Sequence, residues 1–151
     1  MLGKLDAMAY NTLMDATQAG TPNGQKIVII EDNVDLAAIY KARLELLGYT
    51  CFIGYNGITG LYFIQQALPD LVLLDLMIPD IAGDQVLRIM RTSSWGKNIK
   101  TLIVSNLNET EAAPDLRQLG IVDYLIKANM TDDTIDRVVN SILRPTSTSA
   151  T

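Results

Sequence analysis

Asp70-Leu71-Val72-Leu73-Leu74-Asp75-Leu76-Met77-Ile78-Pro79-Asp80 is the stretch on which the fold turns. Leu71–Leu74 is apolar with no alternation, the pattern of a strand buried on both faces of a parallel sheet. Asp75 ends that run, where a carboxylate is costly unless it is paired. Working outward, similar short runs lie at Ile27–Ile30, Thr50–Ile53, Thr101–Val104 and Val122–Ile126. Helical periodicity fills the gaps at 34–47, 58–67, 83–91, roughly 110–119 and 132–143. Leu36, Ile39, Tyr40, Leu44 and Leu47 share a face of the first helix, and Ile135, Val138, Val139 and Ile142 share one of the last. Gly48 and Gly120 stand where helix-ending glycines belong. Thr131 with Asp132 and Asp133 reads as the last helix's cap. Regular βα alternation implies a parallel α/β sheet with right-handed crossovers and helices on both faces.

Composition narrows the function classes. The chain has 151 residues, one domain by length. Twelve Lys and Arg against 17 Asp and Glu leave a formal charge of −5. That balance argues against non-specific binding to nucleic acid or an anionic membrane. With no His and one Cys, a zinc site is improbable, His-assisted nucleophilic catalysis is excluded and no internal disulfide can form. Lone Cys51 suits a reducing compartment, and no apolar run reaches the ~20 residues of a membrane helix, so a cytoplasmic address is expected. Residues 1–24 read as a leader or an extra helix (Leu5, Met8, Ala9, Leu13, Ala16) followed by a Gly20–Gly24 linker. The folded domain is expected over 25–144, with a disordered Ser/Thr tail at 145–151.

In open α/β sheets ligands bind outside the carboxyl ends of the strands. Glu31 and Asp32 follow the first strand, Asp75 the third, Ser105 the fourth and Lys127 the fifth. Each has an ordinary reading alone: Asp32 or Asn33 as a helix cap, Ser105 as a turn residue, Lys127 as a solvated ammonium, Tyr124 as core. Their joint placement at one sheet edge favours a site. Three neighbouring carboxylates resist joint ionisation. A divalent cation removes that conflict, and hard oxygen ligands select Mg²⁺ or Mn²⁺. Asp75 can then act as a nucleophile towards phosphorus, with Lys127 and Ser105 holding phosphoryl oxygens.

Ile30-Glu31-Asp32-Asn33, the 70–80 stretch with Gly83, Val104-Ser105 and Asp123-Tyr124-Leu125-Ile126-Lys127 together resemble the receiver domain of bacterial response regulators over about residues 25–144. The resemblance implies a flavodoxin-like (βα)₅ three-layer sandwich, sheet order 2-1-3-4-5. It implies a signalling domain rather than a turnover enzyme, with Asp75 as phosphoacceptor. Glu31 and Asp32 match the acidic metal pair, and Asp75 and the Met77 carbonyl complete the Mg²⁺ (or Mn²⁺) ligands. Lys127 matches the phosphate-bridging lysine, Ser105 the switch hydroxyl and Tyr124 the switch aromatic. The implied partners are a histidine kinase or histidine phosphotransfer protein, and a downstream protein on the helix 4–strand 5–helix 5 face; a homodimer is compatible. The sequence shows no DNA-binding domain, so a stand-alone or excised receiver is expected.

Three positions depart from the family pattern. Ala128 replaces the usual cis-proline; a cis bond there costs about 2.5–4 kcal/mol, so a trans peptide is expected. Asn106 is bulkier than the usual small residue. Pro114 suits a helix's first turn but not its interior, so the fourth helix should be short or irregular at its start, its first turn loosely packed. Met77 and Leu107 flank the approach to Asp75 in the family fold, with Asn106 beside the entrance, and being apolar they orient no water. Other classes share parts of the pattern. An FMN-binding flavodoxin would want a phosphate cradle where Glu31 and Asp32 stand. A haloacid-dehalogenase-type phosphatase would want Asp where Met77 stands. A docking-only pseudo-receiver usually lacks one of the site residues.

Overall fold

Strands β1 (Lys26–Ile30), β2 (Thr50–Gly54), β3 (Leu71–Leu74), β4 (Lys100–Ser105) and β5 (Asp123–Ile126) form one parallel sheet in the order β2-β1-β3-β4-β5. The structure is a computed structural model that describes residues 22–144. The leader or extra helix read before the linker, and the tail at 145–151, lie outside the described residues.

The strands split the core by alternation. Val28, Ile30, Val72, Leu74 and Ile103 face one side, packed with α2 (Gly57–Ala67) through Ile64 and α3 (Gly83–Thr92) through Val86, Leu87 and Met90. Ile27, Ile29, Leu71, Leu73, Leu102 and Val104 face the other, packed with α1 (Val34–Leu46) through Tyr40 and Leu44 and α4 (Thr134–Leu143) through Ile135 and Val139. This three-layer arrangement is the flavodoxin-like fold expected from the sequence, with one helix fewer. Among the described residues, no helix is long and apolar enough to cross a membrane.

The missing helix is the fourth. Where helical periodicity predicts one at 110–119, the chain forms two 3₁₀ turns, Glu109–Glu111 and Arg117–Leu119. Pro114 is the physical reason. It has no N–H to donate, its ring collides with the preceding turn, and it biases Ala113 away from helical backbone. The apolar spacing is still used, because Ala112 and Leu116 are buried in the core without a helix. The first turn buries nothing, as its composition predicts. Ion pairs hold the segment instead. Arg88 of α3 grips Asp115 with both terminal guanidinium nitrogens, one contact at 2.7 Å, and Arg117 pairs with Glu109. Arg91 donates to the carbonyls of Leu119 and, at 3.3 Å, Gly120.

A second correction concerns the cap of α4. The helix begins at Thr134, after Asp133, whose side chain caps no amide. The Thr131 hydroxyl donates to the Asp133 carboxylate at 2.7 Å and lies 3.0 Å from the Thr134 hydroxyl, and it caps no helix amide. Gly48 and Gly120 do adopt left-handed backbone, with φ of 96° and 81°. Every peptide bond of the described residues is trans, including that before Ala128.

Candidate phosphoacceptor site

Strand register sets the site. Ile30 of β1 pairs with Leu74 of β3, so the residues that follow them, Glu31 and Asp75, leave the sheet side by side. The Asp75 amide still donates to the Ile30 carbonyl at 3.1 Å, extending the ladder one step. Leu74 pairs with Ile103 of β4, and Ser105 two residues later pairs with Ile126 of β5. Lys127 follows at once, so its ammonium reaches back over the ends of β3 and β1. Asp32 comes one residue after Glu31 and is exposed, while Asn33 caps α1 by accepting from the Leu36 amide at 3.0 Å. The capping alternative therefore belongs to Asn33, and Asp32 is left for the site.

The charges are paired and nearly dry. Lys127 Nζ lies 2.6 Å from Glu31 Oε2 and 2.7 Å from Asp75 Oδ2. Glu31 and Asp75 are only 2% and 4% exposed. Burial pushes the Glu31 carboxyl above its usual value, partly countered by Lys127 and the Asn33 amide. Burial also works against the Lys127 charge, but the two carboxylates outweigh it and hold the amine above its ordinary value. The other oxygen of Asp75 accepts from the Met77 amide at 2.9 Å, which fixes its side chain.

Carboxylate oxygens of Glu31, Asp32 and Asp75 all lie within 4.8 Å of one another. Three carboxylates and one ammonium leave a local charge of −2, which one divalent cation neutralises. The donors are hard oxygens with no sulfur or imidazole among them, a set that fits Mg²⁺ or Mn²⁺.

Ser105 and Tyr124 meet on one residue. The Ser105 hydroxyl, fully buried, accepts from the Leu107 amide at 3.3 Å. The Tyr124 hydroxyl donates to the Leu107 carbonyl at 2.5 Å. Leu107 packs against the core, whereas Met77 is 59% exposed and Asn106 is exposed. Sequence reading placed all these residues at one edge but gave Asp80 no role. Asp80 accepts from the Gly57 and Ile58 amides of α2 at 2.8 and 3.2 Å. The available signal was an Asp after Pro79, a residue type that tolerates left-handed backbone and captures nearby amides.

Comparison with known proteins adds an independent line. A family model described as the response regulator receiver domain matches residues 27–139. The sporulation initiation phosphotransferase F of Bacillus subtilis is 28% identical over 114 residues, 76% of this chain and 90% of that protein. The DNA-binding dual master transcriptional regulator RpaA of Synechocystis is 30% identical over 121 residues, 80% of this chain and 50% of that one. The chain thus spans only about half the length of several curated relatives it matches. Among solved structures, the receiver domain of the Francisella response regulator 1452 superposes with a TM-score of 0.70 at 26% identity, covering 79% of this chain and 96% of that one. The chemotaxis response regulator CheY4 of Vibrio cholerae shares the fold, with a TM-score of 0.71 at 19% identity and coverage of 79% and 98%.

Proposed function

The chain belongs to the response regulator receiver domain family, and on that premise we propose that Asp75 accepts a phosphoryl group in a Mg²⁺-dependent phosphorelay and that the acyl phosphate switches a protein-interaction face. The observation that carries this reading is the clustering of Glu31, Asp32 and Asp75 oxygens beneath the Lys127 ammonium. An Asp75 carboxylate oxygen attacks phosphorus while the bond from phosphorus to the donor's imidazole breaks. The departing imidazole keeps the electron pair and takes a proton from water. Glu31, Asp32, Asp75 and the Met77 carbonyl would hold the cation, which supplies positive charge to the transferring oxygens. Lys127 would meet one phosphoryl oxygen once Asp75 is phosphorylated, and Ser105 another.

The donor is a phosphohistidine of a histidine kinase or phosphotransfer protein. The output is a cytosolic protein partner on the surface formed by residues 108–120, β5 and α4. That surface contains 3₁₀ turns instead of the α-helix expected at 110–119. Ser105 and Tyr124 both hold Leu107, so a hydroxyl drawn towards a phosphoryl group disturbs Leu107 and, through it, Tyr124. Phosphoramidate, a small phosphohistidine analogue, tests the transfer. Labelling should require Mg²⁺, stop in EDTA and fall severely in Asp32→Ala; labelling undiminished by EDTA contradicts the metal assignment.

The acyl phosphate should also persist. Hydrolysis needs a water held in line with the Asp75–phosphorus bond, and Met77, Leu107 and Asn106 are the side chains expected beside that approach. Met77 and Leu107 have no group to orient water, and positioning is most of what phosphoryl-transfer catalysis supplies. After donor removal in Mg²⁺ at neutral pH, loss should be slow and should accelerate with polar residues at positions 77 and 107. Loss within seconds contradicts this.

A further inference from the structure

The loop from Met77 to Ala82, between β3 and α3, is held more firmly than a connection requires. Asp80 has φ of +65°, left-handed backbone that L side chains rarely adopt. The Ile81 amide donates to the Pro79 carbonyl at 3.0 Å, closing a γ-turn over Asp80. Strained backbone persists only where its surroundings over-determine it. Here the surroundings are the N-terminus of α2. Asp80 Oδ1 accepts from the Gly57 amide at 2.8 Å and Oδ2 from the Ile58 amide at 3.2 Å.

The helix already has a local cap. Asn56 accepts from the Thr59 amide at 2.8 Å. A second cap, from a loop 23 residues away, adds little that the helix lacks, but it fixes the loop. Gly57 makes the approach feasible, because a Cβ there would stand 2.7 Å from the Ile81 carbonyl and 3.1 Å from Asp80 Oδ1. At its other end the loop is tied to the phosphoacceptor: the Met77 amide donates to Asp75 Oδ1 at 2.9 Å, and the Gly83 amide donates to the Leu76 carbonyl at 3.0 Å. Met77 thus sits on a strap with Asp75 at one end and α2 at the other.

We infer that Asp80 is a positioning residue of the phosphoacceptor site, its carboxylate fastening the Met77–Ile81 loop to α2 so that Met77 holds Asp75 in the orientation that serves the cation. This inference rests on the metal reading proposed above. Residues that orient metal ligands typically contribute about 10–100-fold to metal affinity.

The test compares wild type, Asp80→Ala, Asp80→Asn and Asp80→Gly, all unphosphorylated. Glycine relieves the strained φ, so Asp80→Gly removes the carboxylate while sparing the backbone. Free Mn²⁺ is titrated by electron paramagnetic resonance, amide exchange is followed at Gly57 and Ile58, and the thermal midpoint is recorded. Exchange should quicken at both amides in the Ala and Gly variants. Mn²⁺ affinity should fall at least roughly tenfold in both, with Asp80→Asn between them and wild type. In Asp80→Gly this loss should come with a thermal midpoint close to wild type, which a merely structural cap would not produce. Wild-type affinity in Asp80→Gly overturns the inference and leaves the metal reading intact. A wild-type protein that binds no Mn²⁺ overturns both.

Discussion

Lys127→Met is expected to destabilise the protein by about 3–5 kcal/mol in EDTA at neutral pH, the usual consequence of removing one partner from a buried charge cluster. The variant leaves Glu31 and Asp75, 2% and 4% exposed, side by side without a counter-ion. Urea denaturation checks the magnitude. Two further signs identify the cause. Mg²⁺ should restore much of the loss, since a cation bound only by the folded state stabilises it. Acidification should restore some as well. Burial already raises Glu31 above 4.5, and removal of the ammonium raises it further. Between 4.5 and that raised value the folded variant binds more protons than the unfolded chain, so its stability increases as pH falls across this window. The wild type behaves differently at the alkaline end. Lys127 is held above its ordinary 10.5, so its contribution is present below that pH and is lost as pH rises through the raised value. A variant as stable as wild type in EDTA, or indifferent to Mg²⁺, contradicts this charge arrangement.

Gly83→Ala should be comparably severe for a steric reason. A Cβ at this position would stand 2.3 Å from the Asp75 carbonyl oxygen and 2.6 Å from the Leu76 Cα, both main-chain atoms. No side-chain rotamer change can clear that overlap, so α3 must move away from the end of β3. Overpacking usually costs about 1–3 kcal/mol, and a backbone collision belongs at or above the top of that range. The same displacement shifts Asp75, so on the proposed function labelling should fall even where the variant remains folded. Urea denaturation and phosphoramidate labelling check the two effects; a stability change under about 0.5 kcal/mol contradicts the packing described.

Much of the molecule was legible in its sequence because burial and chain direction leave local marks. Leu71–Leu74 lacks alternation since both faces of β3 are covered, and the site residues follow strand ends because that is where a parallel sheet opens. The fourth helix was misread because Ala112, Leu116 and Leu119 repeat at helical spacing. Pro114 denies the backbone a helix, and the buried pair is served by 3₁₀ turns pinned by Arg88 and Arg91. The Thr131 side chain caps no amide because its hydroxyl is engaged by the Asp133 carboxylate and the Thr134 hydroxyl. Of the Asp80 tether only an Asp after Pro79 shows in the sequence, and the Tyr124 half of the hold on Leu107 does not show there. Both depend on partners far along the chain, and the first on a backbone angle set by its neighbours.

The central claim, that Asp75 is the phosphoacceptor, is tested most directly by mass spectrometry after incubation with acetyl phosphate and Mg²⁺, comparing wild type with Asp75→Asn. The account predicts one phosphoryl group on the wild type, mapping to the peptide that contains Asp75, and none on Asp75→Asn. Phosphate gained by Asp75→Asn at the wild-type level would contradict it.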